Sequence, residues 1–169
     1  MIKRLMLLVL LLVPTSSYAG LLSGDITAVP ESKGVFSWGD GVNNLHQQWS
    51  IAYFNYSGWF YSSEYSESNA DVFVYSGLAD ISLAGDASLF EYQSSGAVHA
   101  WEGDTVFFRG TNGSYGAWKI DAIDGFYDPT AIFPYRNFLS GTWYFLEDGK
   151  SDFSVSKVSD PYRQLRTVN

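Results

Sequence analysis

Three aspartates, Asp121, Asp124 and Asp128, lie close together around Gly125. Carboxylate and backbone oxygens gathered in one turn suit Ca2+, a hard cation that prefers oxygen ligands. Asp40, Asn43 and Asn44 form a weaker set of the same kind. Neither has the spacing of a helix-loop-helix calcium loop, and Asp and Asn also favour turns for their own backbone hydrogen bonds. Ca2+ is therefore the one cofactor the sequence suggests, in competition with a purely structural turn. Glu91, between Phe90 and Tyr92, is the glutamate best placed for chemistry. Glycoside hydrolysis needs two carboxyl groups about 5–10 Å apart across a cleft, and no such pair can be read from spacing. Strand alternation equally allows Glu91 to face solvent.

Nucleophile patterns fail on inspection. Asn112-Gly113-Ser114-Tyr115-Gly116 lacks the first glycine of a nucleophile elbow and belongs to a hairpin tip. Ser154 and Lys157 match Ser-x-x-Lys by letter, but positions three apart on a strand face opposite sides. The two histidines, His46 and His99, have no ligand-type spacing. Arg109 is a rare cation in the first hairpin, suited to stacking on an aromatic ring.

The richest feature is aromatic. Trp49, Tyr53, Phe54, Tyr56, Trp59, Phe60, Tyr61 and Tyr65 crowd one short segment. On a strand this places large rings on both faces, so the segment is either a central strand or one with an open stacking face. Trp49, Tyr53, Trp59 and Tyr61, with Glu91, are the candidate ligand-binding residues, and the flat C–H faces of sugars are their natural complement. Burial in an ordinary core is the competing use of such rings.

Composition narrows the setting. Lys3 and Arg4 precede an apolar run from Leu5 to Val13, then Pro14 and Ser17-Tyr18-Ala19, which is the pattern of a signal peptide cleaved after Ala19. The run is much shorter than the roughly 20 residues of a spanning helix. Residues 1–19 are thus expected to be removed, giving a secreted or periplasmic protein. Without Lys3 and Arg4, 10 − 2 = 8 basic residues face 18 acidic ones, a formal charge of −10. That field repels nucleic acid and anionic lipid. Cysteine is absent, so disulfides and thiolate metal sites are excluded.

These side chains must be positioned by β-structure. Candidate strands are short, at Ile26–Val29, Val35–Trp38, Asp71–Leu78, Ile81–Leu83, Ser88–Gln93 and Val98–Trp101, and Gly- and Asp-rich turns separate them. Asn112-Gly113 predicts a two-residue type I′ hairpin, opposing Thr111 to Ser114, Phe107 to Trp118 and Phe108 to Ala117, with Arg109 on the Phe107 side. Asp148-Gly149 predicts a second hairpin, opposing Glu147 to Lys150 and Tyr144 to Phe153. No helical period appears after the signal. The expectation is an all-β domain over 20–159, an antiparallel β-sandwich or jelly-roll with a closed barrel as the alternative, and a loose tail at 160–169. A binding module for a glycan or cell-surface ligand fits best. A small carboxylate-dependent glycoside hydrolase and an outer-membrane surface protein are the alternatives.

Overall fold

The computed structural model describes residues 21–28, 34–39, 44–51, 57–64, 68–127, 130, 135–146 and 149–154. The signal segment, the expected tail at 160–169, Tyr53 and Asp128 lie outside them. Nine strands are present among the described residues: β1 (Leu21–Ala28), β2 (Gly34–Gly39), β3 (Asn44–Ile51), β4 (Gly58–Tyr61), β5 (Ala70–Tyr75), β6 (Ala97–Ala100), β7 (Thr105–Gly110), β8 (Tyr115–Tyr127) and β9 (Tyr135–Leu146). They form a five-stranded sheet in the order β1-β9-β8-β7-β5 and a four-stranded sheet in the order β2-β3-β4-β6. All pairings are antiparallel. This is the expected β-sandwich; the two sheets pack face to face and do not close into a barrel.

Alternation explains what fills the space between them. Leu45 and Trp49 of β3, Phe60 of β4 and Ala100 of β6 point inward. They meet Val106, Phe108, Trp118, Trp143 and Phe145 from the larger sheet. Trp118 sits at the centre, edge-on to both Trp49 at 5.4 Å and Phe60 at 5.7 Å between ring centroids.

The larger sheet is also covered on its other face. Phe107, Ala117, Tyr144 and Leu146 point away from the sandwich core into a second cluster with Leu78, Ile81, Ala87 and Phe153. Burial on both faces is why Thr105, Val106, Phe107 and Phe108 are all buried in succession. Such a run cannot show the apolar–polar alternation of a half-exposed strand.

The covering layer corrects two expected strands. Ile81–Leu83 and Ala87–Leu89 are single 3-10 turns. In each, an aspartate one residue before the turn accepts a hydrogen bond from the serine N–H two residues on: Asp80 from Ser82 and Asp86 from Ser88, both at 2.9 Å. This side chain to backbone bond competes with a sheet ladder and wins locally. Asp152 does the same for Ser154 at 2.9 Å. Each of the three Asp-x-Ser units buries its middle residue, Ile81, Ala87 or Phe153.

Both hairpins differ from expectation. In the first, Gly110 N–H donates to Ser114 O and Gly113 N–H to Gly110 O, at 2.8 and 2.9 Å. The loop is therefore Thr111-Asn112-Gly113, three residues long, with Gly113 at φ +84°, the residue such a loop favours at its left-handed position. Asn112 Oδ1 is engaged by the N–H and hydroxyl of buried Ser114. Register moves by one residue, so Phe107 opposes Ala117 and Trp118 opposes Val106. A shift of one sends alternate side chains to opposite faces: Trp118 enters the inter-sheet core and Phe107 the covering layer. Of the second hairpin, Glu147 and Asp148 lie outside the described residues, and the expected Tyr144–Phe153 pair does not occur, because Tyr144 pairs with Ser23 on one side and Ala117 on the other. The chain after Gly149 instead pairs with the 3-10 segment. Ala87 N–H donates to Ser151 O at 2.8 Å, Phe153 N–H to Gly85 O at 2.9 Å, and Asp86 bridges Asp152.

Candidate functional site

The outer face of the four-stranded sheet carries the remaining aromatic candidates, and its side chains are partly buried: Gln48 is 4% exposed, and Ser50, Trp59, Tyr61 and His99 are half-buried. With Trp49, Phe60 and Ala100 turned inward, alternation turns Ser50, Trp59, Tyr61 and His99 outward. Register sets Ser50, Trp59 and His99 side by side across β3, β4 and β6. The Trp59 ring lies 4.1 Å from the His99 ring, tilted by 42°, and His99 lies 6.1 Å from Trp101, tilted by 34°. A short ladder of three rings results, half-buried at Trp59 and 49% exposed at Trp101. Tyr61 stands beside it, its hydroxyl 2.9 Å from Ser50 Oγ. Trp59 Nε1 is buried and has no hydrogen-bond partner among the described residues.

Trp101 is held by its backbone. Its N–H donates to Asp104 Oδ2 at 2.9 Å and its carbonyl accepts from Asp104 N–H at 3.0 Å. Gly103, at φ +87°, permits the tight turn. On the far side of β3, His46 Nδ1 shares a 2.6 Å hydrogen bond with Ser37 Oγ. Both histidines of the chain thus occupy this sheet.

The candidate residues divide among three places. Trp59 and Tyr61 share the outer face of the four-stranded sheet. Trp49 is 1% exposed and belongs to the inter-sheet core, so it offers no stacking surface. Glu91 is exposed on the covering layer of the other sheet, where its neighbour Phe90 packs on Phe73 and Phe107 at 4.8 and 5.0 Å. The structure does not bring it to the aromatic ladder. Asp121 and Asp124 are exposed positions within β8, not turn residues, with Asp121 at the register shift between Ile120 and Ala122. No group of three or more His, Cys, Asp or Glu placed to hold a metal occurs among the described residues. Arg109 stacks 4.7 Å over the Tyr92 ring and pairs with Asp71 at 2.9 Å, tying the hairpin to the covering layer.

Electrostatics in the covering layer is structural in character. Burial raises the proton affinity of the Tyr92 hydroxyl, and of the Tyr144 hydroxyl, so both stay neutral. Asp86 is held below the ordinary 3.8 by the Ser151 hydroxyl first and then Ser88. Asp152 is held below it by the Ser154 hydroxyl and N–H. Both shifts run the wrong way for a general acid. Groups with depressed folded values stabilise the fold above their unfolded value and lose that contribution as pH falls through the folded one. Asp86→Asn combined with Asp152→Asn keeps an acceptor for each serine N–H but removes the charge. The double variant should have a lower denaturation midpoint than the parent at neutral pH. The gap should close below pH 3.8, which a series of urea titrations from neutral to acid would read.

Sequence reasoning missed His99 and Trp101 as partners of Trp59. Both were in a recognised strand, but the pairing of β4 with β6 spans a long loop and no local signal fixes it. No helix among the described residues is long and apolar enough to cross a membrane. Compared with protein-family models, curated proteins and solved structures, the chain matches none.

Proposed function

We propose that this is an exported, non-enzymatic binding module whose outer four-stranded face stacks the rings of a neutral glycan. The observation that carries the reading is the Trp59–His99–Trp101 ladder on the outer face of the four-stranded sheet, half-exposed at Trp101, beside Tyr61 and Ser50. Indole faces match the C–H faces of pyranose rings, and the hydroxyls and imidazole supply donors and acceptors at the rim. The acidic chain favours neutral over anionic glycans: Glu64 and Glu102 are exposed near the two ends of the face, and it carries no Lys or Arg among the described residues. The signal-like segment 1–19 supports export, with processing after Ala19.

Retention on insoluble neutral polysaccharides and neutral glycan arrays tests this. Trp101→Ala should weaken binding by about tenfold, or ~1.4 kcal/mol, while changing stability by no more than about 0.5 kcal/mol, as expected of a half-exposed residue. Trp59→Ala should weaken binding at least as much. Binding that persists undiminished in both variants, or no retention on any neutral glycan, removes the proposal.

A further inference from the structure

β6 is an edge strand of the four-stranded sheet, paired to β4 on one side only. One hydrogen bond fixes which of its backbone groups face the other side. Ser62 N–H donates to Gly96 O at 3.0 Å. Hydrogen-bonded pairs alternate along an antiparallel ladder, so Phe60–Val98 and Gly58–Ala100 are bonded pairs, whereas Trp59–His99 and Tyr61–Ala97 are not. The N–H and C=O groups of Ala97 and His99 therefore point away from β4. None of the four has a partner among the described residues. The next outward pair, on Trp101, is already closed by the carboxylate and N–H of Asp104. Lysine, proline and bulges, which commonly blunt an edge, are absent from Ala97–Ala100. The β5 edge of the larger sheet differs: Val72 is bonded there to Gln93 in both directions.

We propose that β6 takes an extended, basic segment of another protein as an added strand. Donor and acceptor groups at alternate residues, Ala97 and His99, are what an edge offers to such a segment. Ala97, Val98 and His99 are each only partly buried. The added residue beside His99 turns its side chain to the outer face, against the His99 and Trp101 rings, where an aromatic or β-branched group packs best. Charge complementarity sets the character of its ends. Glu64, whose N–H donates to Ser94 O, and Glu102 are exposed and bracket β6 at its two ends. Residues 93–104 hold no Lys or Arg. A second copy is a poor competitor, because chains of formal charge −8 repel one another.

The probe is a capped peptide of alternating threonine and valine, with a central tryptophan and a lysine at each end. Bound to the full chain, it should slow amide exchange several-fold at Ala97 and His99 and leave Val98 and Ala100, already bonded to β4, unchanged. N-methylation of alternate peptide amides should abolish binding in one register and spare it in the other. Glutamate in place of the lysines should weaken it. Ala97→Pro removes an outward N–H without breaking the ladder to β4, a substitution edge strands tolerate, and should weaken the peptide about fivefold, the weight of one net hydrogen bond. That variant leaves the Trp59–His99–Trp101 rings in place, so its glycan retention should not change and tests the stacking face separately. No binding of the probe, equal loss from both N-methylated registers, or equal binding of the glutamate peptide overturns the proposal. So does exchange protection at His99 that rises with protein concentration in the absence of peptide, since a second copy would then be the occupant.

Discussion

Gly141→Ala should cost at least about 3 kcal/mol, beyond the usual penalty for overpacking a core, and in a marginal background should prevent folding. Gly141 lies in the middle of β9, opposite Ile26 on one side and Ile120 on the other. A Cβ there runs into the backbone carbonyl of Lys119 and comes within 2.8 Å of Trp118 Nε1. Neither neighbour is free to retreat. Lys119 is paired to Thr105 and Thr142 on its two sides, and Trp118 is wedged between Trp49 and Phe60. The register shift at Asp121 follows immediately, so displacement would spread into the longest strand pair. Gly103→Ala is the control. Its Cβ meets nothing, and only the positive φ of +87° is penalised, by roughly 1–2 kcal/mol. Urea denaturation of both variants separates the cases; equal losses would mean that β8 and β9 do not pack in this register.

Phe153→Ala should cost about 3–5 kcal/mol and free the segment that closes the covering layer. Phe153 is fully buried, edge-on to Phe107 at 5.3 Å, and its N–H is bonded to Gly85 O. Truncation leaves a cavity against Phe107 and removes the hydrophobic reason for residues 149–154 to lie beside Gly85 and Ala87. Hydrogen exchange in the variant should accelerate at the backbone amides of Ala87 and of position 153 before it does at Trp118 or Phe60. Leu89→Ala, at an exposed position of the same layer, should change stability by less than about 0.5 kcal/mol. A loss below about 1 kcal/mol for Phe153→Ala would show that the layer is not anchored there.

The β class and most strand positions were legible because local signals suffice for them: β-branched and aromatic runs, and Gly-Asp turns. What failed depended on pairing or competition. Asn112-Gly113 marked the hairpin, but the extra loop residue depends on Asn112 turning its side chain to Ser114, and the letters Asn-Gly permit both loop lengths. Asp148-Gly149 resembled a hairpin because nothing local reveals that β1 returns to occupy the edge of β9. Ile81–Leu83 and Ser88–Gln93 have strand-like composition, yet Asp-x-Ser was the better guide, and its three occurrences were readable as capped turns. For the candidate site, the aromatic segment was visible while its division was not. Alternation put Trp49 and Trp59 on opposite faces, and only the second sheet decided which face was core.

Hydroxyl-radical footprinting, with and without a bound neutral glycan, bears most directly on whether the outer face of the four-stranded sheet takes ligand while the larger sheet is sealed. Trp101 should be modified faster than Trp59, and Trp49 and Trp118 barely at all, with Phe107 and Phe153 equally protected. Added glycan should shield Trp101 and Trp59 and leave Leu83 and Leu89 unchanged. Rapid modification of Phe107 and Phe153, or glycan protection at Glu91 and its neighbours in place of the Trp59–Trp101 ladder, would contradict it.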